Sequence, residues 1–124
     1  LPGATDRLEV KTSSISDAGY GLWARTHHRK GTLVAGYPGM VLTAQQFSEI
    51  YDTRYVVQID RDVFLDARQV KCHAKYINTL VGNQTQMWNY NCILDLVSDV
   101  PLDVQVKTVR DVSAGEEFFL QYSF

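Results

Sequence analysis

The chain is short of most things that would announce a function. It has only two cysteines in 124 residues, Cys72 and Cys92. Two can build neither a disulfide framework nor a four-ligand zinc site, so reduced thiols in an intracellular protein are expected. Charge of one sign is also lacking. The formal net charge is -2 and the isoelectric point about 5.9, so nothing favours direct nucleic-acid binding, and a basic peptide is the compatible partner. No apolar run approaches the ~20 residues of a membrane span. There is no signal-peptide pattern, and a start at Leu1 rather than Met reads as an excised fragment. Repeats, linkers and low-complexity tracts are absent. The three histidines form no cluster with acids or thiols at metal-ligand spacing, so no metal is expected. His27 and His28 read as a solvated turn, and His73 as a helix-face residue.

What is present is a sequence with a period of two. "LEVKTSS" (8–14), "YGLWAR" (20–25), "TLVAGY" (32–37), "RYVVQID" (54–60) and "VFLDAR" (63–68) read as strands. So do "NCILDLVS" (91–98), "VQVKTVRDV" (104–112) and "EEFFLQYSF" (116–124). All are rich in Val, Ile, Leu, Tyr and Phe and bounded by Gly, Asp, Ser or Pro. "TAQQFSEIYD" predicts a helix, with Thr43 as N-cap, Gln46 as its capping-box partner, and Phe47, Ile50 and Tyr51 on one face. "ARQVKCHAKYI" predicts a second short helix. Short strands without βα alternation make a mostly β, β-rich α+β domain, with one domain over residues 1–124 and a core at about 8–124. Trp23, Phe47, Phe64 and Ile77 are expected in the core. "AGYG" (18–21) and "SAGEE" (113–117) are glycine-bearing turns, and on their own terms plain ones.

Residues 73–92, "HAKYINTLVGNQTQMWNYNC", resist this scheme, opening like a helix and then losing any period. In order along the chain come "GYGLWA", "RKGTLVAGYPGMVLT", "YVVQID", "FLDARQVKCHAKYIN" and "AGEEFFLQY". This succession resembles the SET domain of protein-lysine methyltransferases, over nearly the whole chain. The resemblance implies several small curved sheets, one or two short helices and a knot-like threading near the C-terminus. It also implies S-adenosylmethionine as cofactor, with cofactor and substrate lysine meeting through a narrow channel. Methyl transfer to an amine is an in-line displacement, which needs alignment and a neutral amine more than a strong base.

By that resemblance Tyr122 stands where the family's catalytic tyrosine stands, and Tyr55 where a tyrosine lines the channel. Tyr122 would orient the amine rather than deprotonate it, since an ordinary tyrosine pKa near 10 suits no general base at neutral pH. Ala18, Gly19, Tyr20 and Gly21 match the turn that holds the methionine part of the cofactor. Lys75 and Asn78 match further cofactor-binding positions, although Lys75 fits a solvated helix lysine equally well. Leu120, where the family often carries Phe or Tyr, leaves the number of methyl groups open.

Three departures stand out. The family's Asn-His-Ser-Cys-x-Pro-Asn element is broken: Asn78 is kept, Thr79 and Leu80 replace His-Ser, and "VGNQTQMW" (81–88) is inserted before Asn91. The chain reaches Phe124 without a cysteine-rich zinc segment to close the channel, and Gly36 replaces an acidic residue. Two functions follow. The first is S-adenosylmethionine-dependent methylation of a protein lysine, on a histone tail or another basic segment, in the nucleus. The second is a SET-like module with weakened or lost catalysis, serving as a binding or scaffold domain among chromatin-complex subunits or flanking domains.

Overall fold

Alternating side chains on short extended segments set the architecture. The computed structural model describes residues 4–80 and 89–121. Leu8–Thr12 (β1) and Tyr20–Ala24 (β2) form an antiparallel hairpin in which Val10 faces Leu22. Leu8, Val10, Leu22 and Ala24 are buried, so this two-stranded sheet closes one side of the core. Its turn is held by Ser13 N–H donating to the Gly19 carbonyl at 2.9 Å, and Gly19 takes φ +75°, which lacks a steric penalty only for glycine.

Leu33–Gly36 (β3) is followed by Met40–Thr43 (β4), Val56–Asp60 (β5) and Val63–Asp66 (β6). Then come Asn78–Thr79 (β7), Cys92–Asp99 (β8), Leu102–Thr108 (β9) and Phe119–Leu120 (β10). β4, β6 and β5 make a three-stranded sheet in that order, and a five-stranded sheet runs β3-β9-β8-β10-β7. Pro38 lies just beyond β3, an edge strand, as the missing proline N–H requires. The core is shared between the sheets, with Leu22, Leu65, Val106, Val112 and Phe118 all but fully buried.

β10 decides the topology. It pairs parallel with β7, Phe119 opposite Asn78 and Leu120 opposite Thr79, and on its other side with β8 at Cys92. The last strand therefore occupies the gap between two strands that residues 80–91 join, which is the threading the resemblance implied.

Four expectations need correction. No α-helix forms over residues 67–77; only a 3-10 turn at Ala74–Tyr76 does. The carbonyls of Ala67, Arg68 and Val70 accept from Lys75 Nζ at 3.2, 3.1 and 3.0 Å, and the Ala67 carbonyl also takes Val70 N–H at 3.0 Å in a single turn that does not continue as a helix. The first helix has its capping box, Thr43 and Gln46 bonding reciprocally, but covers only Ala44–Ser48 (α1). Phe47, stacked on Phe64 at 4.3 Å, and Ile50 are half-buried, whereas Tyr51 is fully exposed and shares no buried face. His28 is not solvated: it is 1% exposed, its ring edge-on to Phe118 at 5.1 Å. Its amide and carbonyl pair with Val112 at 2.8 Å each, a bridge between distant segments that sequence spacing does not reveal. Trp23 is only half-buried, with Lys11 Nζ 4.5 Å from its ring, while Phe64 and Ile77 join the core as expected.

Candidate functional site

The broken motif and the Gly-x-Gly hairpin meet. Asn78 opens β7, where its side-chain amide donates to the Tyr20 carbonyl at 3.0 Å. One side-chain hydrogen bond thus ties the first residue of β2 to the strand beside β10. Tyr20 remains 47% exposed and sets its ring edge-on to Tyr76 at 6.4 Å. Tyr76 in turn meets Tyr55 at 5.9 Å. Three phenols from the hairpin, the turn just before β5 and the 3-10 turn so form one aromatic wall.

Lys75 sits behind that wall. Its ammonium is 4.9 Å from the Tyr55 ring centre and 5.7 Å from that of Tyr76, while its three N–H groups are all used on the carbonyls of 67, 68 and 70. Lys75 therefore orders the loop before the 3-10 turn, and a cofactor carboxylate would have to compete for its donors. Its fixed charge has a second effect, since it disfavours a second protonated amine at the same tyrosines. Burial raises the Tyr76 phenol above its ordinary pKa, with smaller contributions from Tyr55, Cys72 and Tyr20, so this ring stays neutral and available for hydrogen bonding.

A buried scaffold supports the wall. Tyr37, 3% exposed, donates its hydroxyl to the Tyr55 carbonyl at 3.2 Å, and Ala67 N–H donates to the same oxygen at 3.0 Å. Burial raises the Tyr37 pKa far above its usual value. Asn91 is 1% exposed and imitates a strand partner for the residues leading into β10. Its Nδ2 donates to the Glu117 carbonyl at 3.0 Å, and its Oδ1 accepts from Phe119 N–H at 2.7 Å. Glu117 lies beneath the hairpin, accepting from Ser13 Oγ at 2.7 Å, Ser14 N–H at 2.8 Å and Ser14 Oγ at 2.7 Å.

Of the residues singled out from sequence, Gly19, Tyr20 and Gly21 fall on the hairpin turn and β2, and Ala18 in the turn bonds to the Ile15 carbonyl. Tyr55, Lys75, Asn78 and Thr79 lie on the neighbouring segments, Thr79 half-buried and opposite Leu120. Tyr122 and the insert 81–88 lie outside the described residues. Tyr76, the central ring of the wall, was not singled out, although "KYIN" places it between two residues that were. Glu117 and Tyr37 lie in segments that carry the resemblance but were given no role, because their hydrogen-bond partners lie far away in sequence.

The sequence profile of the SET domain matches residues 19–123. The variant-silencing SET domain-containing protein of Plasmodium falciparum (isolate 3D7) is 25% identical over 134 aligned positions, covering 94% of this chain but 5% of that protein. A solved structure described as ctPRC2 in an autoinhibited conformation bound to S-adenosylmethionine superposes with a TM-score of 0.74 at 20% identity. That match covers 96% of this chain and 15% of the other, and at such identity it is a likeness of fold. Both relatives are far longer than this chain. With the profile covering most of its length and the fold matched over nearly all of it, the chain belongs to the SET domain family.

Proposed function

We propose that this domain transfers a methyl group from S-adenosylmethionine to a lysine ε-amine of a protein, with a histone tail or another exposed basic segment as substrate in the nucleus. The observation that carries the proposal is the Asn78 amide bonded to the Tyr20 carbonyl at 3.0 Å. It brings the Gly-x-Gly hairpin, the tyrosine wall and the strand leading to Tyr122 to one place. The residues suit the cofactor. A side chain at Gly19 would meet nothing within 4 Å, so space is open beside the turn, and the exposed Tyr20 ring flanks it.

The cofactor, when bound, supplies an electrophilic methyl carbon on a positive sulfonium. It would serve a neutral lysine amine held in line with that carbon, with the thioether as leaving group and water taking the surplus proton. The chain's own part is placement. Tyr20, Tyr55 and Tyr76 provide an aromatic wall, the Lys75 charge favours a neutral incoming amine, and Tyr122 orients it. Alignment of this kind is worth up to about 7–11 kcal/mol in the best intramolecular cases. Asn78, Thr79 and the turn 18–21 hold the donor.

The second reading, a binding or scaffold module in a chromatin complex, is favoured by two features: Thr79 stands in the motif's histidine position, and the Lys75 donors are fully engaged. Calorimetric titration with S-adenosylmethionine separates the two. The enzyme reading expects saturable heat; none at millimolar cofactor leaves only the scaffold. With binding established, labelled methyl transfer to mixed histones should be strong for the wild type and nearly abolished by Tyr122→Phe. Equal counts from both proteins would remove Tyr122 from the chemistry, and transfer to other basic proteins but not to histones would overturn the histone assignment.

A further inference from the structure

The hairpin made by β8 and β9 projects a tip that is both apolar and acidic. Leu96, Val97, Val100 and Leu102 are 42%, 49%, 90% and 39% exposed. They sit on the last rungs, where Leu96 faces Val104 and Asp99 faces Leu102, with Val100 and Pro101 at the turn. Such exposed side chains scattered singly would be unremarkable, but here four gather at one hairpin end, within residues 96–102.

The charges around the patch are all of one sign. From Ile93 to Val106 the chain carries Asp95, Asp99 and Asp103 and no Lys, Arg or His. Asp95 is paired with Lys107 at 2.7 Å, but neither Asp99 nor Asp103 forms an ion pair among the described residues. They stand on neighbouring rungs, Ser98 opposite Asp103 and Asp99 opposite Leu102, so the hairpin end presents two exposed carboxylates.

We propose that this tip is a docking surface for a partner protein segment in which apolar and cationic side chains alternate. The apolar groups would cover Leu96, Val97, Val100 and Leu102, and the cations would neutralise Asp99 and Asp103. A second copy of this chain docking tip to tip is disfavoured, because it sets carboxylates against carboxylates. Anionic lipid and nucleic acid are repelled for the same reason. The surface is also separate from the tyrosine wall. The tip lies at the other end of β8 from Cys92, about 20 Å away at the usual strand rise, and Cys92 is where β8 meets β10.

The test is titration of the isotope-labelled chain with a short peptide of alternating leucine and arginine, followed by amide chemical shifts. Arginine replaces lysine so that the peptide cannot serve as a methyl acceptor. Shifts are expected at 95–104 and not at Tyr20, Tyr55 or Asn78, and binding should weaken as salt rises. Val100→Ser with Leu102→Ser should lower the affinity at least about tenfold. Asp99→Asn with Asp103→Asn should remove the salt dependence. All four positions are exposed, and an unchanged spectrum elsewhere will certify each fold. The proposal is overturned if no binding occurs, if shifts centre on the tyrosine wall, if a leucine–glutamate peptide binds equally well, or if neither pair of changes weakens binding.

Discussion

Glu117 is 4% exposed, yet its carboxylate is fully occupied by Ser13 Oγ and by the amide and hydroxyl of Ser14. Hydrogen bonds to a charged group contribute about 1.5–3 kcal/mol each, and stranded partners add a penalty. Glu117→Ala should therefore lower unfolding stability by roughly 3 kcal/mol, read from urea denaturation, with Glu117→Gln intermediate because it can still accept. Gly21 is the counterpart. A Cβ there would collide with Glu117 Oε2 and approach the Ser13 backbone, so the glycine is needed for space, not for its torsion. Gly21→Ala should cost about 1–3 kcal/mol, and Gly21→Ala combined with Glu117→Ala should cost less than the sum of the two single changes. A full additive cost would mean the two residues are energetically independent. In the sequence, Gly21 looked like half of a cofactor motif and Glu117 like a turn residue. Their contact links positions that no local pattern relates.

At the scale of elements, β10 is held as much by a side chain as by strands. Asn91 offers a donor to the Glu117 carbonyl and an acceptor to Phe119 N–H, while its own amide bonds to the Phe119 carbonyl at 3.0 Å. Asn91→Ala keeps the backbone bond and leaves two buried groups unpaired. A loss of about 2–4 kcal/mol is expected, together with faster amide exchange at Phe119 and Gln121 than at β8 and β9. Exchange that quickens evenly across the whole sheet would mean Asn91 has no special tie to β10. The strands themselves were legible from alternation: β1, β2, β3, β5, β6 and β10 fall within the expected runs, and β8 and β9 overlap theirs with ends shifted by one and two residues. The 67–77 segment was not, because its apolar spacing fits a helix while the Lys75 ammonium draws three carbonyls the other way. β4 and β7 were likewise unmarked; a two-residue strand such as β7 exists only because β10 lies beside it.

Across the whole molecule, burial couples stability to pH at both ends. Burial pushes the Cys92 thiol from 9.0 up to about 12, so the unfolded chain loses this proton before the folded one. Stability from this group is complete below pH 9.0 and declines between there and about 12, by up to ~1.4 kcal/mol per pH unit. Tyr37, also raised by burial, acts in the same direction on the alkaline side. His28 works the other way. Burial lowers its pKa from 6.5, aided by the nearby charges of Arg7 and His27 against a bond to the Thr26 carbonyl. Its stabilising effect is present above pH 6.5 and fades as pH falls and the unfolded imidazole takes a proton. Urea midpoints across this range should form a plateau with losses on both sides. Cys92→Ala should flatten the alkaline slope and His28→Gln the acidic one; unchanged slopes in the variants would assign the linkage to other groups.

By itself the sequence determined the β-rich class, the family, the capped helix at Thr43 and the positions of Tyr20, Tyr55 and Asn78, because period and motif order are local or sequential properties. Only the tertiary structure decided that Asn78 grips Tyr20, that Tyr76 completes the wall, that Lys75 serves a loop and that His28 is buried. Each of those depends on contacts between segments far apart in the chain, and long-range packing leaves no imprint on local spacing.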